Sequence, residues 1–82
     1  MTWVVIGLAT FDAWADEIEG VDLRIQVLEW MVSLQEGGPP AHGIFDPFRE
    51  TWTFVIPGSN VTAEYFVAPF LDPPAVAIRG LY

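Results

Sequence analysis

Few side chains in this sequence could do chemistry, and they are scattered. His42 is the single histidine, and the chain has no cysteine and no lysine. With Arg49 nearby in sequence, His42 could move a proton while the guanidinium steadies an anion. Its place beside Gly43 reads more simply as a surface loop. No second histidine or cysteine is there to share a metal. Arg24, Arg49 and Arg79 are the only cations, against eleven acids. They could converge on one anion, but pairing is the plainer reading: Arg24 with Glu17 or the Gly20 carbonyl, Arg49 with Glu50 or Asp46. Asp12, Asp16 and Glu19 form a carboxylate stripe at helical spacing. Such a stripe is a solvated helix face or a docking face for a basic partner. It is a poor calcium site, because those draw on a loop that also supplies backbone carbonyls. Gly37-Gly38 runs into two prolines rather than a helix, so it cannot cradle a phosphate at a helix N-terminus. No metal and no cofactor is expected.

The net charge is −8, and it is uneven. Residues 1–40 carry seven acids and one arginine, net −6; residues 41–82 carry four acids and two arginines, net −2. A field of this sign repels nucleic acid and anionic lipid and favours basic protein surfaces. No direct nucleic-acid contact and no membrane association are therefore expected. The N-terminal residues lack a basic leader segment, and no apolar run approaches the roughly 18–20 residues that span a bilayer. Together with the absence of cysteine, this predicts a cytoplasmic protein.

The elements must position these groups on one small domain. The chain has 82 residues, 52% of them hydrophobic and 15% aromatic. Each buried aromatic removes roughly 150–250 Å² from water, so a stable α+β domain over residues 1–82 is plausible without staples. Residues 2–8 are β-branched and apolar and read as a buried strand. Helical spacing follows over 11–19, with Phe11, Trp14 and Ile18 opposite the acidic stripe, Thr10 as a cap and Gly20 as the stop. A second helix is predicted over 23–36, capped by Asp22. Its stripe of Leu23, Val27, Trp30, Met31 and Leu34 is widened by Ile25, Leu28 and Val32, which predicts burial on more than one side. Residues 41–49 read as a loop. In it, Phe45 and Phe48 are either anchors or exposed contact residues, since aromatics are enriched at binding hot spots. Period two then takes over, with strands predicted at 51–56, 61–67 and 75–79. The predicted fold is an N-terminal strand, a two-helix hairpin and a three-stranded antiparallel run, forming one sheet packed by the helices.

That order resembles the RelE/ParE superfamily of type II toxins, over nearly the whole chain. The local echoes are Leu34-Gln35-Glu36-Gly37-Gly38-Pro39, the strand Thr51 to Ile56, the strand Val61 to Val67 with its central Tyr65-Phe66, and the closing Val76-Ala77-Ile78-Arg79. The resemblance implies two branches of function. Members that cleave mRNA on the ribosome use a basic cluster with a Tyr or His, because attack by a 2′-hydroxyl needs a base, an acid and cations for the phosphorane charge. It implies cations near the end of the first hairpin strand and just ahead of the aromatic pair. Ile56-Pro57 and Ala63-Glu64 stand there instead. Arg79 and Tyr82 match positions where the family places working residues; with His42 and Arg49 they form the candidate set for a ribonuclease. Other members bind a protein such as DNA gyrase and need no such cluster.

The expected function is therefore that of a non-catalytic RelE/ParE-like protein from a bacterium or its phage. It would bind and inhibit a host protein that has a basic surface, with Asp12, Asp16, Glu19, Phe45 and Phe48 as contacts. A homodimer is possible through a sheet edge. The alternatives are an active mRNA-cleaving toxin and an acidic mimic of DNA occupying a DNA-binding protein.

Overall fold

A computed structural model describes residues 2–82 of the chain. The elements run β1 (Val4–Ile6), α1 (Leu8–Asp16), α2 (Val21–Gly37), β2 (Ile44–Asp46), β3 (Thr51–Val55), β4 (Thr62–Ala68) and β5 (Ala75–Leu81). The α+β class and the two-helix hairpin are as the sequence predicts. The sheet is larger than the predicted three-stranded run. It has five strands in the order β1-β5-β4-β3-β2, with β1 parallel to β5 and every other pair antiparallel. The extra strand, β2, lies in the segment predicted as a loop. It pairs Ile44 with Thr53 and Asp46 with Thr51, so backbone pairing to β3 makes it a strand rather than any apolar alternation of its own.

The helix limits also shift. α1 starts at Leu8 because Gly7, at φ 148°, can cap it. Thr10 lies inside the helix, not at its cap, and its hydroxyl donates to the Ile78 carbonyl at 3.3 Å. Gly20 does not end α1, which closes at Glu17; it caps α2 instead, with Asp22 in the first turn, where a carboxylate meets the positive end of the helix dipole.

One face of the sheet packs on the helices. Val27, Met31 and Leu34 of α2 and Trp14 of α1 bury against Ala63, Tyr65, Val76 and Ile78. Trp30 stacks on Phe54 with ring centroids 5.9 Å apart, a geometry favoured by aromatic pairs. The end of α2 is locked to β1: Trp3 N–H donates to the Gln35 carbonyl at 2.7 Å. Gly38 closes the helix at φ 71°, and a β-carbon there would lie 2.7 Å from the Trp3 indole nitrogen. Only glycine suits both the backbone and the space.

The predicted burial of α2 on more than one side does not occur. Ile25, Leu28 and Val32 are exposed. An 82-residue chain has spent its strands on a single sheet, and none remains to cover the helix from outside.

Candidate functional site

Two surfaces remain uncovered: the far face of the sheet and the outside of the helices. On the sheet, Trp52, Ala63, Tyr65, Val67, Val76 and Ile78 belong to the core. Strand alternation therefore turns Thr51, Thr53, Glu64, Phe66 and Ala77 to the far face. At its centre lies an ion pair. Arg49 Nε stands 3.2 Å from Glu64 Oε2, and its Nη2 donates to Oε1 at 3.4 Å. The Thr51 hydroxyl donates to Oε2 at 3.2 Å. The arginine side chain is 66% exposed while that of the glutamate is only 11% exposed, so the carboxylate is the fixed element and the guanidinium reaches in to it. Arg49 is delivered by the β2–β3 turn. There the Asp46 carboxylate accepts the N–H of Phe48 at 2.9 Å and of Arg49 at 3.4 Å, a side-chain mimic of a backbone turn. The predicted partners Asp46 and Glu50 are therefore not the ones Arg49 pairs with. Asp46 shapes the turn instead, and Glu50 takes its left-handed residue at φ 56°.

Arg79 sits beside this pair because β5 bulges. Ile78 pairs with Tyr65 and Gly80 with the adjacent Glu64, which leaves Arg79 as the extra residue. Such a bulge kinks the strand and re-aims a side chain. Arg79 is exposed and makes no hydrogen bond or ion pair among the described residues. Tyr82 continues the strand, exchanging backbone hydrogen bonds with Thr62 at 2.7 and 3.0 Å. Its ring lies over Gly80: a β-carbon there would meet Tyr82 Cε1 at 3.7 Å and Glu64 Cβ at 3.8 Å. The far face thus brings Arg49 and Tyr82 close to Glu64, with Arg79 at the bulge of the neighbouring strand. His42 is not among them. It is exposed and lines a groove with Ile44, Thr53, Val55 and Thr62 at the β2 edge. Three strand spacings, about 14 Å, separate β2 from β5.

This arrangement limits the chemistry. Three donors already hold Glu64, and Arg49 is neutralised by it. A phosphorane formed here would have one unpaired cation, Arg79. The sequence offered Glu64 only as an acid standing where a cation was expected; its role as the counter-ion at the centre of the face depends on cross-strand register. Tyr65 is a second group that sequence reasoning missed. Its hydroxyl is buried with no hydrogen-bond partner among the described residues, and burial raises its pKa above the usual phenol value. The loop at Gly43 lies against that hydroxyl, leaving no room for a β-carbon.

On the helices, Asp12, Asp16 and Glu19 are all exposed, as are Glu17, Asp22, Glu29 and Glu36. Arg24, the one cation of this half, donates instead to the Ile18 carbonyl rather than to Gly20 or Glu17 as the sequence predicts. Phe48 is 97% exposed at the tip of the β2–β3 turn. Phe45 rests on Trp52 with centroids 5.1 Å apart and stays partly open. These two aromatics lie on the hairpin, away from the acidic stripe, so the predicted contact residues fall on two separate surfaces. No described helix is long and apolar enough to cross a membrane. No family model matches the chain, and neither a curated protein nor a solved structure matches it.

Proposed function

We propose that this chain is a non-catalytic, RelE/ParE-like protein, of bacterial or phage origin, that acts by binding and inhibiting a host protein through a basic surface on that partner. The observation that carries the reading is the outside of the helical hairpin. Seven acids stand exposed there, and the guanidinium of Arg24 is turned to a backbone carbonyl. A surface of one sign with no local counter-ions speeds and selects encounters with the opposite sign. The element order, with both helices on one face of the sheet, supports the family part of the reading.

The test is affinity capture from a bacterial host with the parent and with an Asp12→Lys, Asp16→Lys, Glu19→Lys triple variant. The parent should retain a stoichiometric partner whose binding weakens with added salt. The variant should bind it more weakly and with a flatter salt dependence. A partner held equally by both proteins sinks the reading.

A second reading, ribonuclease, is favoured by one observation: Arg49 and Tyr82 lie close to Glu64 on the open sheet face, with Arg79 at the bulge of the strand paired to it. Message cleavage on translating ribosomes by the parent, lost in Arg79→Ala, would establish it.

A further inference from the structure

The outer face of α2 carries an apolar seam that none of the described residues covers. Val21, Ile25, Leu28 and Val32 are 60, 49, 39 and 54% exposed. Their spacing is four, three, four, which places them in one line along the helix. This is the spacing of a coiled-coil seam, in which Ile25 and Val32 take a positions and Val21 and Leu28 take d positions. Single exposed aliphatics are ordinary on any surface. A row of them over three turns of a helix whose other side is already packed is not a scatter. Leu8, at the start of α1, extends the row sideways: it lines a shallow groove together with Leu28 and Val32.

Charge runs along one side of this row. The e positions, each next to a d position, are Asp22, Glu29 and Glu36, all exposed. On the other side the g positions are Arg24, turned to the Ile18 carbonyl, and the buried Met31; beyond them α1 starts at Leu8, with the exposed Asp12 and Asp16 one and two turns further on. The seam therefore has one acidic border on its own helix, along the e positions. In helix pairs the residues bordering the seam decide which partner is accepted.

From this we propose that the α2 seam docks one amphipathic helix of another protein, with aliphatic residues at a/d spacing and Lys or Arg on the flank that meets Asp22, Glu29 and Glu36. The proposal rests on the protein-binding reading above and names the form of the partner. β-branched residues at a with leucine at d favour a pair of helices over a larger bundle. An antiparallel second copy of this chain fits poorly, because its acidic border would face this one. An anionic bilayer is repelled for the same reason. The partner's apolar face would enter as side-chain knobs over Ile25, Leu28 and Val32, the usual mode of helix-in-groove recognition. Its cations would supply the counter-charges that the hairpin lacks.

The test uses the full chain and three synthetic helical peptides of equal length. One carries Leu and Ile at a and d with Lys at e and g. One has the same composition with the register shuffled. One has Glu in place of Lys. Titration calorimetry should show saturable one-to-one binding of the Lys-flanked peptide. The shuffled and Glu-flanked peptides should each bind weaker by on the order of tenfold, about 1.4 kcal/mol. An Ile25→Lys, Val32→Lys variant should lose the Lys-flanked peptide by at least as much while keeping the parent circular dichroism and thermal transition, since both side chains are exposed. Equal binding of the shuffled peptide overturns the seam and leaves the acidic-surface reading standing. So does binding of the Lys-flanked peptide that Ile25→Lys, Val32→Lys does not weaken. Failure of all three peptides overturns the helical partner; the capture experiment above then decides separately whether a protein of another shape is bound. Sedimentation of the parent as a dimer that the same variant converts to monomer overturns the proposal in favour of a second copy.

Discussion

The two uncovered surfaces of this domain divide its charge between them. The helical hairpin shows acids and aliphatics with its one arginine turned aside, whereas the sheet face shows one arginine paired to a glutamate and a second at the β5 bulge. The same sheet holds both surfaces in place, yet they suit opposite partners. Under the proposed function the hairpin takes a basic, apolar protein surface. The sheet face has one unpaired cation and could at most hold one anionic group. The lesson is that net charge describes neither surface well. A chain of charge −8 still carries a locally basic spot, because the acids that outnumber its arginines are mostly on the other side.

The comparison depends on α2 having one packed face and one free face, and a pair of leucines tests this most severely. Leu34 is 4% exposed inside the core, and Leu28 lies on the outer seam. Leu34→Ala should cost about 2–5 kcal/mol in urea unfolding, as truncation of core leucines does. Leu28→Ala should cost about 0.5 kcal/mol or less, as expected of a surface substitution. Similar losses for the two would mean that the outer face is covered in solution, and that the two surfaces are wrongly drawn.

Much of this division was legible in the sequence, and the part that was not has a physical cause. Period-two runs at Thr51–Val55 and Thr62–Ala68 declare strands because one face is buried and the other is not. α2 declares itself by length and terminators. β2 does not: three residues with two open side chains carry no alternation, and the strand exists only through its ladder to β3. The parallel pairing of β1 with β5 joins opposite ends of the chain, so no local pattern encodes it. The apolar breadth of α2 was visible in the sequence. Whether the chain itself covers that breadth is a property of the whole fold. Around the sheet face, the Arg49–Glu64 pair needs the register that sets Trp52 opposite Tyr65, and the exposure of Arg79 needs a bulge. The acidic stripe was readable because both its spacing and its exposure are local to one helical turn after another.

The core side of the sheet supplies a sharper probe of how closely the loop at Gly43 presses on Tyr65. A methyl group at Gly43 falls on the Tyr65 hydroxyl. Gly43→Ala should therefore destabilise the fold by about 1–3 kcal/mol, the usual cost of overpacking. Adding Tyr65→Phe should recover most of the loss, because it removes the atom that is struck. Thermal unfolding of the two single variants and the double variant closes the cycle. Additive losses would show that the loop does not touch the ring.

Tyr65→Phe alone has a smaller effect with a definite pH signature. The hydroxyl has no partner among the described residues, so its removal at pH 7 should be neutral or slightly stabilising. Burial raises the folded-state pKa above the unfolded value of about 10. The unfolded chain then loses its proton first. The stability this group contributes is complete below that unfolded value and is lost as pH rises through the folded one. The parent should weaken above about pH 10, and Tyr65→Phe should remove part of that slope. If Tyr65→Phe leaves the slope as steep as in the parent, burial of Tyr65 is not its cause.

The smallest expected effect belongs to Arg79, and it separates the two surfaces by function. The side chain is exposed and unpaired among the described residues. Arg79→Ala should shift stability by no more than about 0.5 kcal/mol. Capture of a basic partner by the hairpin should be unchanged, since the residue lies across the sheet from the helices. If the sheet face were instead a phosphoryl-transfer site, Arg79 would be its one free cation. Loss of a single charge-stabilising donor then lowers turnover by a factor of about 10²–10³. Measuring both capture and message cleavage with this one variant therefore assigns the activity to a surface. Unchanged capture with no cleavage by the parent places function on the hairpin, and cleavage that vanishes with the arginine places it on the sheet.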